Sequence, residues 1–575
     1  MTTATDPTTL ALTGQLPMIL IAAALLALPT ALLLLWLYRR AVLRSMRAGA
    51  PGARSPAATA GPTPPSTPAS RPELTITSWG RGSDMHLGPR AETLLRRLRR
   101  SRRRTAGAYA LGGAGFALVM TWAFLVSSGI EFAPVRSLLL FLAYAWPVVF
   151  TTTLALGSSL RVMLAGTAAY AAVFIALAAI AVARSPESSW SQVALFWAIN
   201  NLPPSVLLLF FLNRRVRAVG PLVLVFMVLA VTGATVLVTV TGSSDRFLWA
   251  AITVGSAVGL GALGVLIGLH LLGFLVLGIA GWFALLWIRG RYERKQVSDE
   301  SITFDAVWLL FGVEQSIGLA FQGAGWVLSG LVAFAAYKLA TGLALSALRP
   351  RAGAEAANVG LLLLRVFALG RRSERLFEAV GAYWRHVGSI QLIAGPDLIT
   401  KVVEPHEFLD FLRGRLARRF VDGPETLERR LSEMDLERDH DGRFRVNEFF
   451  CHDHTWRAVL ARLVSQGDTV LMDLRSFSPA NAGVTFELEE LLNQVRLERI
   501  VFAIDRTTSR EYLGEVIEQA CGRLRPASPN LGHPVRLRLL EVEDSSSGIE
   551  RLLRALCAAA GTSLVLDPRP TGARI

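Results

Sequence analysis

The pattern of apolar and polar positions changes near residue 350. Before this point the chain contains long uninterrupted apolar runs, such as 17–38 and 248–288. After it, short apolar runs alternate with charged, amphipathic stretches. A helix of about 20 apolar residues spans a bilayer, whereas runs of about four to eight are typical of buried strands. The pattern predicts a polytopic α-helical membrane region, residues 105–349, followed by a soluble α/β domain, residues 350–575.

Residues 1–47 are predicted to form an N-terminal membrane anchor built on the apolar run 17–38. The run 248–288 would be about 60 Å long as a helix, twice the thickness of a bilayer core, so a hairpin broken near 268–273 is expected. Residues 304–321 form either an interfacial helix or a further span, which gives seven to nine spans in total. The other predicted spans are 106–128, 138–158, 162–182, 193–212, 219–240 and 326–347.

Basic residues set the predicted orientation. Residues 1–16 contain no Lys or Arg, whereas a group of arginines follows the first span: Arg39, Arg40, Arg44 and Arg47. Positive charge next to a span favours the cytoplasmic side. We therefore expect a multi-pass protein of the plasma membrane with its N-terminus outside and its C-terminal domain in the cytoplasm.

Residues 48–104 are predicted to be a disordered cytoplasmic linker, rich in Pro and Ala at its start and in Arg at its end. The arginine-rich run RRLRRSRRR at 96–104 is typical of an orientation signal beside the next span, with attraction to anionic lipid as a by-product. A dedicated lipid-binding patch and a nucleic-acid-binding arm are the alternatives.

The charge distribution argues against nucleic acid as a partner. The net charge is +15, but residues 1–349 hold 28 Lys and Arg against 12 Asp and Glu, whereas residues 350–575 hold 31 against 32. The soluble domain has no basic surplus that could act as a phosphate-binding footprint. The cysteines Cys451, Cys521 and Cys557 show no CxxC spacing, so neither a disulfide framework nor a zinc ribbon is indicated.

Several polar residues within the apolar region are candidates for transport chemistry. A double proline inside a span breaks the helical hydrogen-bond pattern and frees backbone carbonyl groups, and a buried charge there is a functional candidate. A transporter or channel with a regulatory domain is therefore one alternative function. The residues concerned are Asn200, Asn201, Pro203, Pro204, Glu314 and Lys338.

The soluble domain alternates between short apolar runs and amphipathic helices. Strands are predicted at 360–367, 389–394, 469–474, 499–504 and 535–542, and helices at 371–385, 405–421, 455–465, 484–495, 510–524 and 549–558. Near-continuous apolar strands with intervening helices indicate a parallel sheet covered on both faces. A flavodoxin-like, doubly wound domain is expected, with ligands bound at the carboxyl ends of strands near the topological switch point.

Two segments resemble Toll/interleukin-1 receptor (TIR)-like domains. The run GLLLLRVF from Gly360 looks like their opening strand, and TVLMDLRSFSPANAGVTFELEELL from Thr469 resembles their strand, Ser-rich loop and Glu-bearing helix. The resemblance covers roughly residues 358–560. It implies a TIR-like fold, and Glu487 matches the helix Glu that engages the nicotinamide ribose in TIR domains that cleave NAD. The motif S-x-W-C-x-x-E of those enzymes reads N-A-G-V-T-F-E here, from Asn481.

The same resemblance predicts the candidate site. Glu487 is the candidate catalytic residue, and the residues expected to bind the nucleotide are Arg365, Asp473, Arg475, Ser476 and Ser478. By its position on the predicted helix alone, Glu487 lies beside the buried stripe in the first turn, where a carboxylate is stabilised by the helix dipole. By the same geometry, Glu490 is expected at the solvated surface.

Two further motifs admit a metal-binding interpretation. Residues 437–448 have the spacing of an EF-hand calcium loop, but Arg443 and Arg445 favour a hairpin turned at Asp441-Gly442. The run Cys451-His-Asp-His454 lacks a second ligand pair and favours a loop or helix start instead. No metal and no certain cofactor are predicted.

The expected function is that of a membrane-anchored signalling or scaffold protein. Its cytoplasmic TIR-like domain would bind partners or a nucleotide, and its partners would be the lipid bilayer and either a second copy or another protein. The first alternative is a membrane-tethered NAD glycohydrolase of the TIR type, for which NAD is the substrate. The second alternative is the transporter or channel.

Overall fold

The computed structural model describes residues 7–48, 74–79, 87–184, 189–212, 214–320, 322–347, 358–365, 371–394, 405–533 and 535–566. The chain divides into two compact units, each with its own hydrophobic core. The helical unit comprises residues 1–38, 103–349 and 402–412. The sheet unit comprises residues 39–102, 350–401 and 413–575.

Long apolar helices form the helical unit. Its helices are α1 (Pro7–Ala48), α2 (Pro89–Ser127), α3 (Pro134–Ala145), α4 (Pro147–Ala155), α5 (Leu160–Arg184), α6 (Trp190–Leu212), α7 (Arg214–Gly242), α8 (Asp245–Ala257), α9 (Ala262–Glu293), α10 (Asp299–Ala320), a 3-10 turn (Ala324–Leu328) and α11 (Ser329–Ala347). The C-terminal end of α1, at Ala48, and the N-terminal end of α2, at Pro89, belong to the sheet unit. A short helix from the C-terminal part of the chain, Pro405–Leu412, also belongs to this unit.

Within the described residues, seven helices are long and apolar enough to cross a membrane. They are Ile21–Met46, Pro89–Ser127, Leu160–Arg184, Val219–Gly242, Ala262–Glu293, Asp299–Ala320 and Gly325–Ala347. The bent pair α3 and α4, with an angle of 49° at Pro147, would be an eighth span. A proline lacks the N–H needed to continue the hydrogen-bond ladder, which explains the bend. These helices agree with a membrane protein, as the sequence predicts.

The predicted break of the run 248–288 near 268–273 is wrong. The chain breaks earlier, between α8 and α9, where Gly259 has a φ of 76° and Gly261 precedes α9. Helix α9 then continues without interruption through 268–273. The segment is apolar throughout, so its hydrophobicity alone carries no information about the position of the turn. Residues 304–321 are predicted to form either an interfacial helix or a further span. They lie largely in α10, which is one of the candidate spans.

The predicted disordered linker 48–104 is wrong in two places. Leu74–Trp79 forms a strand, β1, and the arginine-rich run 96–104 is the N-terminal part of α2. Most of the Pro/Ala-rich part of the linker lies outside the described residues.

Glycine pairs bring the membrane helices close together. A methyl group on Gly330 of α11 would overlap the carbonyl oxygen of Gly312 on α10. Ser316 connects the same two helices, since its hydroxyl accepts a hydrogen bond from Gly330 N at 2.7 Å and donates one to Gly312 O at 2.8 Å. Small residues allow this backbone approach, on which packing between apolar helices depends.

Within the part of the chain that the structure describes, eight parallel strands form the sheet of the sheet unit. Besides β1 they are β2 (Leu361–Arg365), β3 (Ile390–Ile393), β4 (Phe420–Val421), β5 (Val446–Cys451), β6 (Thr469–Asp473), β7 (Ile500–Ile504) and β8 (Val535–Glu541), in the order β1-β8-β7-β6-β2-β3-β5-β4. From β2 the chain continues to the neighbouring β3, then to the edge strand β4, and then back to β5 between them; from β6 it builds outward to β7 and β8. The change of direction lies between β2 and β6.

Helices between the strands bury both faces of the sheet. They are α12 (Arg371–Trp384), α14 (Pro424–Ser432), α15 (Trp456–Gln466), α16 (Ala482–Gln494), α17 (Arg510–Gly522) and α18 (Ser546–Leu566). The label α13 is given to Pro405–Leu412, which belongs to the helical unit. The central strands β2, β6 and β7 are buried at every position, as a parallel sheet covered on both faces requires. The predicted helix 405–421 is wrong beyond Leu412, because a 3-10 turn at Leu416–Arg419 and strand β4 follow.

Gly330→Ala is expected to destabilise the helical unit by about 2 kcal/mol, as overpacking of a close-packed contact does. The added methyl group would push α10 and α11 apart at Gly312. The measurement is the thermal unfolding midpoint of the full chain in detergent micelles. Gly342→Ala, on the same helix with nothing within 4 Å, is the matched control. A drop of equal size in the control would show that the close approach does not matter.

Candidate functional site

The candidate site lies at the carboxyl edge of the sheet, where the strand order changes direction. Arg365 ends β2 and Asp473 ends β6, and the two residues are register partners in adjacent parallel strands. Ligands of doubly wound sheets bind at this position, because adjacent connections leave on opposite faces and open a crevice. The structure thus brings together two of the residues that the sequence predicts for the site.

Arg475 is fully buried and joins three segments at this edge. Its Nε and one terminal nitrogen each donate to the Asp473 carboxylate at 2.8 Å, and the other terminal nitrogen donates to Asp544 at 3.1 Å. It also donates to the carbonyl oxygen of Arg372 at 3.1 Å, at the start of α12. Burial would lower the pKa of Arg475, but the hydrogen bonds and negative charges of Asp473 and the nearby aspartates raise it overall. Arg475 therefore stays charged and holds the edge together.

Arg372 lies at a more exposed part of the same edge. Its guanidinium group forms an ion pair with Asp505, the residue after β7, and its other terminal nitrogen lies 3.5 Å from Ser476 Oγ and 3.4 Å from Thr507 Oγ1. The hydroxyls of Ser476 and Thr507 are 2.7 Å apart. Burial would raise the pKa of Asp505, but hydrogen bonds from Thr507 and the charge of Arg372 lower it overall. The result is a rim of donor groups around one guanidinium.

Ser476 has a left-handed backbone conformation, with a φ of 59°. This conformation is uncommon for a residue other than Gly, Asn or Asp and costs free energy unless the surroundings enforce it. Its hydroxyl faces Thr507. Ser478, by contrast, is engaged locally, because both its backbone N–H and its hydroxyl donate to Asn481 Oδ1, at 3.0 and 3.1 Å.

Glu487 lies in α16 and is only 2% exposed. Within the described part of the chain, its Oε2 atom has no hydrogen-bond partner. Burial raises its pKa to about 8, although the positive charge of Arg365 acts in the opposite direction. Since α16 begins at Ala482, Glu487 lies in the second helical turn. The sequence-based prediction of the first turn is therefore wrong. The side chain is therefore a buried carboxyl, largely protonated at neutral pH.

The prediction that Glu490 is solvated is wrong. Its side chain is 4% exposed and forms an ion pair with Arg525 and a hydrogen bond with Gln494. Arg525 follows α17, and its backbone N–H donates to Asn493 Oδ1 at 2.7 Å. The segment at Arg525 thus covers the polar face of α16 that carries Glu490. The spacing of apolar residues along α16 does not reveal that another segment packs on this face.

Several residues of the edge network are absent from the sequence-based prediction: Arg372, Asp505, Thr507 and Asp544. Asp505 directly follows the apolar strand β7, and Asp544 follows β8 by a few residues. A carboxylate that follows a buried strand could have identified Asp505 and Asp544 as edge residues, because the carboxyl ends of parallel strands share one edge.

Residues 437–448 contain a hairpin turn, as favoured from the sequence. Gly442 has a φ of 82°, and Arg438 and Phe444 form an antiparallel bridge. The carboxylate of Asp439 accepts hydrogen bonds from Arg445 Nε at 3.0 and 3.1 Å. Asp439 is the third position of the calcium-loop pattern, and its carboxylate is thus bound by an arginine of the same loop.

The run Cys451 to His454 precedes α15, which begins at Trp456. His452 Nε2 lies 2.6 Å from Asp422 Oδ1, and its Nδ1 lies 2.9 Å from the carbonyl oxygen of Ser45. The ring of His452 also stacks on His454. Burial raises the pKa of the Cys451 thiol to about 12, which makes it a poor nucleophile and metal ligand.

Two of the residues predicted inside the membrane region, Asn200 and Lys338, form contacts between helices. Gln315 of α10 donates from Nε2 to the carbonyl oxygen of Asn200 at 2.7 Å. That carbonyl group lacks its usual helical donor because residue i+4 is Pro204. Lys338 Nζ lies 2.7 Å from Asp305 Oδ2. These contacts support helix packing, and no substrate path follows from them.

Comparison with known proteins adds no relative: no family model, no curated protein and no solved structure matches this chain.

The buried Glu487 predicts a pH dependence of stability. Because its pKa rises from 4.5 to about 8 on folding, the unfolded state ionises first. The free energy of unfolding should then fall as pH rises from about 4.5 to 8, by about 5 kcal/mol at 1.36 kcal/mol per pKa unit. Glu487→Gln should remove this slope, as measured by the thermal midpoint of the full chain in micelles between pH 5 and 9.

The half-exposed neighbour Glu489 supplies the control for this experiment, since Glu489→Gln should keep the wild-type slope. An unchanged slope in Glu487→Gln would contradict the raised pKa.

Proposed function

We propose that this chain is a membrane-anchored signalling protein whose sheet unit lies in the cytoplasm and binds a nucleotide at the β2/β6 edge. The finer proposals are a TIR-like fold for the sheet unit and assembly with further copies or protein partners. The helical unit would anchor the protein in the cell membrane. The arginines that follow the first apolar run, Arg39, Arg40, Arg44 and Arg47, support the cytoplasmic placement.

One observation carries the proposal. Two segments far apart in the sequence, one with Arg365 and Arg372 and the other with Asp473, meet at the switch point of a parallel sheet. The partly exposed guanidinium of Arg372, 38% exposed, and the hydroxyls of Ser476 and Thr507 are donors of the kind that phosphate and ribose groups accept. Asp505 orients Arg372 without burying it.

The same geometry favours binding over turnover. A catalytic carboxylate must contact the substrate, but Glu487 is 2% exposed. Arg475 and Asp473 are engaged with each other, and they too are almost fully buried. Among the groups of this edge named above, Arg372 and the hydroxyls of Ser476 and Thr507 are the hydrogen-bond donors that a ligand can meet.

Titration with ATP and with NAD is expected to raise the thermal midpoint of the full chain in micelles in a saturable way, because a ligand that binds only the folded state stabilises it. Arg372→Gln should weaken the apparent affinity about tenfold, as loss of a charge-assisted hydrogen bond does. Arg523→Gln removes a 71% exposed arginine at the C-terminal end of α17 and should leave the affinity unchanged. No shift with either nucleotide would contradict the proposal.

The second candidate function is cleavage of NAD by a membrane-tethered glycohydrolase. The observation in its favour is Glu487, whose pKa of about 8 is perturbed as catalytic carboxyl groups often are. Arg365 supplies the neighbouring positive charge. In this function, Glu487 would become exposed on binding and stabilise a ribosyl cation, the role that carboxylates take in glycoside cleavage.

Nicotinamide release from NAD by the full chain in lipid vesicles separates the two functions. If the chain is a glycohydrolase, Glu487→Gln should lower turnover by about two orders of magnitude, whereas Glu489→Gln should have little effect. If the chain only binds, folded protein that responds to NAD in the thermal assay should release no nicotinamide.

A further inference from the structure

The first part of α2, residues 89–102, belongs to the sheet unit, whereas the rest of α2 belongs to the helical unit. Its buried apolar side chains recur at positions i, i+3, i+4 and i+7, which lie on one face of a helix. They are Ala91, Leu94, Leu95 and Leu98. We call residues 89–102 the docking segment. It is an amphipathic layer of the sheet unit, although α2 as a whole is one of the candidate spans.

Helix α18 is one partner of the docking segment. Gly561 of α18 lies so close to Ala91 that a Cβ atom on Gly561 would be 3.2 Å from the backbone nitrogen of Ala91. Nearer the start of α18, Glu550 forms an ion pair with Arg99. The early part of the segment thus meets the late part of α18, and the reverse, so the two helices run antiparallel.

The C-terminal end of α12 is the second partner of the docking segment. The guanidinium of Arg102 lies over the ring of Tyr383, with 3.9 Å between its Cζ atom and the ring centroid. The hydroxyl of Ser101 lies 3.4 Å from Nδ1 of His386. Since α12 ends at Trp384, these contacts hold its last turn and the residues that follow.

Both partner helices begin at the candidate site. The carbonyl oxygen of Arg372, in the first turn of α12, accepts a hydrogen bond from Arg475 at 3.1 Å. Asp544, two residues before α18, accepts another from Arg475 at 3.1 Å. Asp544 also pairs with Arg375 of α12 at 3.3 Å. The two helices that meet at the site are therefore the same two that the docking segment contacts farther along.

We propose that docking of residues 89–102 is coupled to the order of the β2/β6 edge and controls its affinity for a nucleotide, an inference that rests on the proposed function. When the segment is docked, α12 and α18 are held where Arg475 bonds to the start of each, and Arg372 is oriented for a ligand. When the segment detaches, both helices lose contacts, and donors that a ligand must first order bind it more weakly.

Coupling between two sites is reciprocal, so a bound nucleotide should strengthen docking by the same factor by which docking strengthens binding. The docking segment and the apolar part of α2 form one uninterrupted helix. A displacement of α2 that pulls the segment off α12 and α18 would therefore release the nucleotide. The coupling makes the nucleotide site sensitive to the position of a candidate span.

The first test needs no ligand and follows amide hydrogen exchange in residues 89–102 of the full chain in detergent micelles. Asp544→Asn removes a negative partner of Arg475 just before α18. It should speed exchange in the docking segment about fivefold or more, the lower end of typical coupling between sites. If this variant does not fold, Arg375→Gln, which removes the exposed partner of Asp544, replaces it.

Glu541→Gln is the matched control for the exchange experiment. It removes a half-exposed carboxylate at the end of β8 that pairs with Arg510, and it should change exchange in the docking segment by less than about twofold. Helix α14, which lies beside the edge strand β4, is the internal reference. Unchanged exchange in Asp544→Asn, or an equal acceleration in the control or in α14, would overturn the coupling.

The second test measures the apparent affinity of the full chain for ATP and NAD from the saturable rise of the thermal midpoint. Leu98→Ala truncates a fully buried side chain of the docking segment. It should weaken the affinity about fivefold or more, because a smaller fraction of the protein is competent to bind. Leu111→Ala removes the same atoms from an exposed position on α2 and should leave the affinity unchanged.

The two tests separate failure of the coupling from failure of the proposed function. Nucleotide binding that is equally strong in Leu98→Ala and wild type, or equally weakened in Leu111→Ala, would overturn the coupling and leave the nucleotide site standing. If neither nucleotide stabilises the wild-type chain, the proposed function is wrong. The ligand-free exchange experiment then decides alone whether the docking segment and the sheet edge are coupled.

Discussion

The buried charge of Arg475 is the constraint on which the carboxyl edge of the sheet depends. A guanidinium with no exposure to solvent costs several kcal/mol unless its hydrogen-bond donors are met. Its partners lie on three segments that the sequence separates: Asp473 at the end of β6, Asp544 after β8, and the carbonyl oxygen of Arg372 at the start of α12. Each of these segments is therefore positioned by the others. Loss of Asp473 would leave the buried guanidinium without its two-point counter-ion, and loss of Asp544 would leave its other terminal nitrogen without that acceptor, so the edge behaves as one element.

This constraint explains why the site presents oriented donors. The hydrogen bond from Arg475 to the Arg372 carbonyl oxygen fixes the first turn of α12. One terminal nitrogen of the Arg372 side chain then pairs with Asp505, while the other lies near the hydroxyls of Ser476 and Thr507. Donors that are already in place lose little conformational freedom when a ligand binds. The left-handed backbone of Ser476 is part of the same arrangement, because it follows Arg475 directly and turns its hydroxyl toward Thr507.

The parallel sheet and most membrane helices were predictable because uninterrupted apolar runs specify burial without regard to distant partners. The convergence of Arg365, Asp473 and Arg475 was predictable for a related reason, since residues that end parallel strands share one edge. Features that depend on distant segments were not. Strand β1 pairs with β8 from across the chain, Glu490 is buried by Arg525, and α13 belongs to the helical unit. The break before α9 was misplaced because an apolar run does not encode its own turn.

One physical rule separates the polar groups that need a ligand from those that do not. In the helical unit, Lys338 pairs with Asp305, and Gln315 meets the carbonyl group that Pro204 leaves free. These contacts join groups of opposite character, so packing alone accounts for them. At the sheet edge, Arg372 is also paired, with Asp505, but its guanidinium stays 38% exposed beside the hydroxyls of Ser476 and Thr507. A polar group whose contacts are all made within the fold is explained by packing, whereas a half-exposed donor group at a switch point can also bind a ligand.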